Sequence, residues 1–234
     1  MNEPSSQHAT HGQAPLWVSL EGVEGVGKTY FAGQLSIRFG SRCLLVNEIT
    51  DHELATVPGQ IVAALSACGD VFLRTGHPLT ETFALLALKI HAYGQVTAVL
   101  GKGLEIVLED RGPDTVAVYQ AAILQPSASL TDTLELAQRI SAVAARWRPF
   151  PDLTLLLTDN PEVCAERFAQ RLGRPLQPGE RTLMTRAADL YPLLAASEQG
   201  RYAVIDRRGR SSEDILAEMA DICRTRGARR DDDT

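Results

Sequence analysis

The sequence LWVSLEGVEGVGKT, from Leu16 to Thr29, is the stretch of the chain that says most about its fold. Its apolar beginning predicts a short buried strand. The pattern Gly22-x-x-x-x-Gly27-Lys28-Thr29 follows, and apolar residues then recur at helical spacing. A strand, a glycine loop and a helix in this order form the context that a phosphate-binding loop requires. The stretch therefore predicts a nucleotide phosphate site at the start of an α/β domain.

The chemistry of such a loop lies in its backbone, because glycines let N–H groups turn inward around a polyphosphate. The first turn of the following helix adds its positive dipole end. Lys28 is predicted to reach the β- and γ-phosphates of ATP, and the Thr29 hydroxyl is predicted to hold Mg²⁺. Lysine is otherwise scarce, since the other lysines are Lys89 and Lys102. The predicted ATP-binding residues are Gly22, Glu24, Gly25, Val26, Gly27, Lys28, Thr29 and Tyr30.

Composition limits the possible functions. The 234 residues are 44% hydrophobic and 22% charged, and the formal net charge is −6. A chain without surplus positive charge is not expected to coat nucleic acid. No apolar run reaches membrane-spanning length, so we expect no membrane partner. The four cysteines are widely spaced and predict reduced thiols, which favours a cytoplasmic location.

Five short apolar runs separated by helical patterns predict one α/β domain over residues 15–225, with flexible tails at 1–14 and 226–234. The fold class is α/β, a three-layer α/β/α arrangement with a five-stranded parallel sheet. Helices are expected at about 59–68, 80–100, 113–122, 131–147, 161–171, 181–196 and 212–223, and strands at 16–20, 43–47, 104–108, 153–157 and 202–205.

A second polar group follows the third predicted strand. Parallel sheets bind ligands at the carboxyl ends of their strands, so Asp110 and Arg111 should face the same crevice as the glycine loop. Asp110 could hold Mg²⁺ directly or through water, or could simply cap a helix. Arg111 could clamp a phosphate, or could pair with Glu109 or Asp114.

These motifs together resemble the thymidylate kinase family. The resemblance rests on the loop at 21–29, on the block from Asp110 to Gln120, on Pro151 to Leu157, and on Asn160 to Val163. The four blocks occur in the family's order and span most of residues 16–220. The resemblance implies a P-loop kinase fold with a short mobile lid and a homodimer through the long helices.

The resemblance also implies roles for particular residues. Glu24 matches the loop carboxylate that contacts the acceptor's sugar hydroxyl, and Arg111 matches the residue that grips the phosphates. Tyr119, in the same block as Thr115, matches the tyrosine that lies against the sugar. Leu85 and Lys89 stand where the family has a base-stacking phenylalanine and a base-reading arginine. Gly112 replaces an aromatic residue or histidine, and a family stretch is shortened to residues 47–50. The implied acceptor-binding residues are Glu24, Glu48, Leu85, Lys89, Arg111, Thr115 and Tyr119.

The lid is predicted at about 170–182, where glycine, proline and arginine are concentrated. The phosphate-binding loop has no arginine at its variable positions, so the lid is expected to supply the positive charge that the transferred phosphoryl group needs. The arginines available are Arg167, Arg171, Arg174 and Arg181. The predicted catalytic set is Lys28, Asp110, Arg111, Arg171, Arg174 and Arg181.

The main hypothesis is an ATP- and Mg²⁺-dependent kinase that phosphorylates a nucleoside monophosphate such as dTMP. A second keeps the fold but makes the acceptor a hydroxyl on a nucleoside, sugar or antibiotic-like molecule, with Glu24 or Asp110 as general base. A third is a nucleotide-dependent switch without turnover. Guanine switches use an Asn-Lys-x-Asp sequence, which is absent here.

Overall fold

A computed structural model describes residues 14–47, 55–101 and 103–232. Five parallel strands form one sheet in the order β2-β3-β1-β4-β5. The strand carrying the phosphate-binding loop is therefore central, between β3 and β4. This sheet confirms the predicted fold class and all five predicted strands. The strands are β1 (Leu16–Glu21), β2 (Cys43–Val46), β3 (Ile106–Asp110), β4 (Leu153–Thr158) and β5 (Tyr202–Asp206).

Helices connect the strands and complete the α/β/α arrangement. The longest, α3, has 22 residues and packs beside α4. The helices are α1 (Lys28–Phe39), α2 (Val57–Ser66), α3 (Pro78–Val99), α4 (Pro113–Leu124), α5 (Leu130–Ala144), α6 (Pro161–Leu172), α7 (Pro178–Ser197) and α8 (Ser212–Asp232).

The register of the central strands places the two sequence motifs side by side. Leu20 of β1 pairs with Asp110 of β3, and Glu21 pairs with Leu156 of β4. The loop that begins at Gly22 and the pair Asp110-Arg111 therefore leave the sheet at the same edge. Parallel pairing alone accounts for this, because all carboxyl ends point the same way.

The central strands are buried because helices cover both of their faces. All six residues of β1 and all five of β3 are buried. This explains their almost continuous apolar sequences, since a strand covered on both sides has no solvent-facing positions. Glu21, Glu109 and Asp110 interrupt that pattern. They are buried carboxylates near the ligand edge, and each needs a partner or a function.

Several element boundaries differ from the expected ones, and the largest difference is at the end of α8. The last helix, expected to end at residue 223, continues to Asp232. Arg226 donates hydrogen bonds to the carbonyls of Asp152 and Gly200, and these contacts tie the last turns to the body. The connection between α6 and α7 spans residues 173–177 and is shorter than the expected loop at 172–180. Glu48 and residues 1–13 of the predicted tail at 1–14 lie outside the described residues.

Candidate active site

The phosphate-binding loop runs from Gly22 to Lys28 and wraps around its own lysine. The Lys28 ammonium donates hydrogen bonds to the carbonyls of Gly22 and Val23, at 2.7 and 2.9 Å. The loop needs glycine at position 25, where φ is +75° and a Cβ atom would lie 2.0 Å from the Cys164 carbonyl oxygen. Helix α6 therefore packs directly against the loop backbone and holds it in place.

Burial shapes the electrostatics of Lys28. Burial lowers its pKa to about 8, and Glu24 opposes that change by favouring the charged form. At neutral pH most molecules therefore still carry the ammonium. A buried cation beside inward-facing loop backbone is a good partner for polyphosphate, because little water competes for it.

Glu24 sits between two arginines that come from different parts of the chain. Its carboxylate accepts two hydrogen bonds from Arg111, one of them at 2.9 Å, and one from Arg171 at 3.1 Å. Burial alone would raise the pKa of Glu24, but Arg111 and Lys28 hold it well below its usual range. Glu24 is thus ionised at neutral pH and pairs with cations from the segment after β3 and from the end of α6.

Arg111 has an unusual backbone conformation. Its φ is +66°, in the left-handed region that residues with a side chain rarely adopt. Such a conformation costs about 1–3 kcal/mol and persists only where surrounding contacts enforce it. The Arg111 N–H bonds the Leu20 carbonyl at 3.1 Å, and the Lys89 ammonium bonds the Arg111 carbonyl. Contacts on both sides of the residue therefore fix the direction of its side chain. Glu109 and Asp114, the alternative partners considered for Arg111, pair with other cations.

The residues expected to hold a metal lie near Lys28. The Thr29 side chain is exposed in the first turn of α1. Asp110 is buried, and its Oδ1 atom has no hydrogen-bond partner among the described residues. A buried carboxylate oxygen without a partner is costly unless a ligand or ion satisfies it. A hydroxyl and a carboxylate are the hard oxygen ligands that Mg²⁺ prefers.

Two cavities meet at this point. The first, of about 220 Å³, is lined by loop residues and by Tyr30, Arg111, Arg167 and Arg171. The second, of about 80 Å³, is lined by Leu85, Lys89, Thr115, Tyr119 and neighbouring apolar residues. Glu24 and Arg111 line both cavities. The structure thus brings most of the predicted ATP-binding residues to the first cavity and most of the predicted acceptor-binding residues to the second. Gly22, Val26 and Asp110 line neither cavity.

The second cavity is mostly apolar. Phe72 stacks on the Tyr119 ring with a centroid distance of 5.5 Å, and the Tyr119 hydroxyl accepts a hydrogen bond from the Glu24 N–H at 3.3 Å. Leu85 and Val116 supply aliphatic surface. Thr115 is engaged on the far side, since its hydroxyl bonds Glu21. This chemistry suits a flat ring with a small number of polar contacts.

The lid arginines separate into two groups. Arg171 bonds Glu24, and Arg167 lines the first cavity while pairing with Asp159 at 2.7 Å. Arg174 pairs with Glu180 at 2.6 Å and Arg181 with Glu162 at 2.8 Å. Neither of these two lines either cavity. The partner of Arg174 lies in the first turn of α7, and the partner of Arg181 lies 19 residues away in the first turn of α6.

Sequence reasoning missed Arg207, which follows β5 and lies over the phosphate-binding loop. Its guanidinium donates a hydrogen bond to the Val26 carbonyl and packs on the Phe31 ring, 4.9 Å from the ring centroid. The signal that could have identified it is its position at the carboxyl end of a parallel strand. Phe72 carried no comparable signal, because it lies in an irregular segment between two helices.

Comparison with known proteins gives consistent matches. The chain is 31% identical to the thymidylate kinase of Desulforapulum autotrophicum over 225 residues, covering 87% of this chain and 88% of that one. It is 30% identical to the thymidylate kinase of Desulfosudis oleivorans over 210 residues, covering 85% and 92%. No family model matches the chain.

Solved structures agree on the fold. The thymidylate kinase structure from Candida albicans superposes with a TM-score of 0.66 at 18% identity, covering 90% of this chain and 92% of that one. The Ehrlichia chaffeensis thymidylate kinase gives 0.61 at 16% identity, covering 91% and 99%.

The fold and the loop together define a P-loop phosphotransferase of the α/β/α class. Within this class, the order of the five strands, the loop carboxylate Glu24 and the pair Asp110-Arg111 at the end of β3 indicate one particular family. The two sequence relatives, at 31% and 30% identity, identify that family. The chain belongs to the thymidylate kinase family, as the sequence motifs predicted.

Proposed function

We propose that this protein is an ATP- and Mg²⁺-dependent kinase that transfers the γ-phosphoryl group of ATP to dTMP. The observation that carries the proposal is the pair Glu24 and Arg111, which lines both cavities. A nucleotide in each cavity would have its phosphates meet at this pair. The sequence relatives, which are thymidylate kinases, support dTMP as the acceptor.

On the donor side, the loop backbone and Lys28 would bind the ATP phosphates. Lys28 now bonds two loop carbonyls and would exchange them for phosphate oxygens. Thr29 and Asp110 would hold Mg²⁺, which fits the unpartnered carboxylate oxygen of Asp110. When bound, the metal neutralises charge on the β- and γ-phosphates. Tyr30 is exposed at the rim of this cavity and would flank the nucleotide.

On the acceptor side, Arg111 would exchange one of its bonds to Glu24 for the acceptor phosphate. Tyr119 would lie against the sugar, and Leu85 with Phe72 would cover the base. An acceptor that is already an anionic phosphate needs no general base, so orientation carries most of the rate. The site suits such anions because Lys28, Arg111 and Arg171 surround the Glu24 carboxylate.

The lid, proposed at about 170–182, would complete the site when both substrates are bound. Arg171 is the lid residue already positioned for this, since it reaches Glu24 from the end of α6. Closure would also exclude water, which protects ATP from hydrolysis. We further propose a homodimer through α3, where the exposed Leu79 and Phe83 lie one turn apart and suit a contact surface. In the part of the chain that the structure describes, no helix could cross a lipid bilayer. The cytoplasm, where ATP and deoxynucleotides are used, is the compartment that we propose.

A coupled assay of ADP release tests the proposal. Purified enzyme with ATP and Mg²⁺ should release ADP when dTMP is added, and product analysis should show dTDP. Thymidine, which lacks the phosphate, serves as the matched acceptor and should give little release. Release with thymidine or an amino sugar, but none with dTMP, would contradict the proposal and favour a hydroxyl acceptor.

A variant of the phosphate-binding loop tests whether ADP release comes from this protein or from a contaminating enzyme. Lys28→Met should reduce dTMP-dependent ADP release by about a thousandfold or more, because the phosphates lose their buried cation. Circular dichroism on the same preparation would show that the variant is folded. Retained turnover in Lys28→Met would remove the assignment of this loop as the ATP site.

A further inference from the structure

A buried group of charged side chains lies behind the second cavity, which is the proposed acceptor cavity. The Glu109 cluster, as we define it, consists of Lys89, Glu109 and Arg148. Their side chains are 2%, 1% and 1% exposed. The Glu109 carboxylate accepts from Lys89 at 3.2 Å and makes two hydrogen bonds with Arg148, one of them at 3.0 Å. Trp17 donates a further bond to it at 3.2 Å.

The cluster touches the active site through Lys89. The Lys89 ammonium donates one hydrogen bond to Glu109 and another to the backbone carbonyl of Arg111. Arg111 is the residue whose backbone is held in the left-handed region, with φ at +66°. Lys89 thus connects the cluster directly to the strained backbone that aims the Arg111 guanidinium at Glu24.

The Glu109 carboxylate fixes the position of the Lys89 ammonium. Burial alone would raise the pKa of Glu109, but Arg148 and Lys89 lower it to about 2, so the carboxylate is ionised at neutral pH. A buried anion holds its cations in fixed positions, because in a low dielectric an unpaired charge is very unfavourable. Without that anion the Lys89 ammonium would be free to turn into the acceptor cavity, which it also lines.

We infer that Lys89 and Glu109 are positioning residues that hold the Arg111 backbone and so set the affinity for the acceptor's phosphate. This inference assigns Lys89 to the phosphate end of the acceptor, in place of reading its base. It rests on the proposed function, because it takes Arg111 as the group that binds the acceptor phosphate. Glu109 acts one step further back, through Lys89, and lines neither cavity.

The two roles of Lys89 predict different binding losses. A base reader contributes equally to dTMP and to thymidine, since both carry the base. A residue that positions Arg111 contributes only to dTMP, since thymidine has no phosphate. The test is therefore the dissociation constant of each ligand, measured by calorimetry with saturating ADP in the donor site.

Lys89→Met and Glu109→Gln are the two variants. We expect each to weaken dTMP binding at least tenfold while thymidine binding changes less than twofold. Equal losses for both ligands in Lys89→Met would restore the base-reading role and overturn the inference. Unchanged affinity for both ligands would overturn it as well. If Glu109→Gln does not fold, Lys89→Met decides, and Lys89→Gln replaces it if necessary.

Leu88→Ala is the matched control for destabilisation. Leu88 is the preceding residue on α3 and is 1% exposed. It packs outside the Glu109 cluster, in an apolar cluster with Leu85 and Val116 of the cavity wall. It should lower the melting temperature and change the two dissociation constants in the same proportion. A selective loss of dTMP binding in Leu88→Ala would show that general loosening mimics the effect, and would overturn the inference.

Failure of the proposed function is distinguishable from failure of this inference. If wild-type protein does not bind dTMP, the acceptor assignment fails. The comparison is then made with inorganic phosphate, again with ADP in the donor site. A tenfold loss of phosphate affinity in Lys89→Met would still support positioning of Arg111, and unchanged affinity would exclude it.

Discussion

Glu21, the last residue of β1, gives the sharpest prediction about stability. It is buried, its Oε2 atom accepts from the hydroxyls of Thr115 and Tyr191, and its Oε1 atom has no hydrogen-bond partner among the described residues. Burial, with repulsion from Asp114, raises its pKa from 4.5 to about 7. The folded protein therefore keeps a proton on Glu21 that the unfolded chain releases at lower pH.

The sign and size of the effect follow from proton linkage. Between pH 4.5 and about 7 the folded state binds more protons at Glu21 than the unfolded state, so stability falls as the pH rises. At about 1.4 kcal/mol for each pKa unit, the whole change is about 3 kcal/mol. The penalty is absent below pH 4.5 and complete above about pH 7.

Glu21→Gln removes the titration while nearly preserving the shape. We expect the variant and the wild type to have the same free energy of unfolding at pH 4.5. At pH 8 the variant should be about 3 kcal/mol more stable than the wild type. Urea unfolding at half-unit pH steps measures this difference. The matched control is Glu166→Gln, an exposed change on α6, whose difference from wild type should stay flat. A Glu21→Gln difference that does not grow with pH would refute the reasoning.

Three further predictions concern the site. Arg171→Gln should lower kcat by about a hundredfold and Arg181→Gln by less than threefold, because only the former reaches Glu24; equal losses would return the catalytic role to the whole lid. Arg207→Gln should raise KM for ATP about tenfold, since the loop loses a charged hydrogen bond, and an unchanged KM would contradict this. Gly112→Ala should lower the free energy of unfolding by about 1–3 kcal/mol in urea, because its Cβ would lie 2.8 Å from Ser19 Cβ. A stability equal to wild type would show that the strand yields there.

Most of the fold could be predicted from the sequence. The strands were found because each is a short apolar run that must be covered on both faces. Helix ends were less accurate where side chains cap them. Helix α2 begins at Val57 because the Thr56 hydroxyl accepts from the Gly59 N–H at 3.2 Å. Helix α7 begins at Pro178 because Gln177 and Glu180 form a capping box. Both capping patterns can be read from the local sequence, but each lies beside a proline and a glycine, and these residues favour a loop.

Charge pairing was much harder to predict, because it depends on distances between elements far apart in the chain. Glu24 and Arg111 are 87 residues apart, and Lys89 and Glu109 are 20 apart on different elements. The sequence indicated which residues carry charge, but several carboxylates could pair with each arginine, depending on how the helices and strands pack. The packing then determines which carboxylate each arginine contacts, since a buried ion pair is stable only when its two charged groups are in close contact.

The amino-acid sequence was enough to predict the phosphate-binding loop, the edge of the sheet where Asp110 and Arg111 emerge, and the family. These are consequences of local pattern and of the common direction of parallel strands. The tertiary structure was needed to show that Arg171 reaches Glu24, that Arg174 and Arg181 pair with Glu180 and Glu162, and that Arg207 covers the loop. It also decided that Lys89 is bound to Glu109 behind the acceptor cavity. A side chain's partner depends on what packing brings near it, and that information is not local.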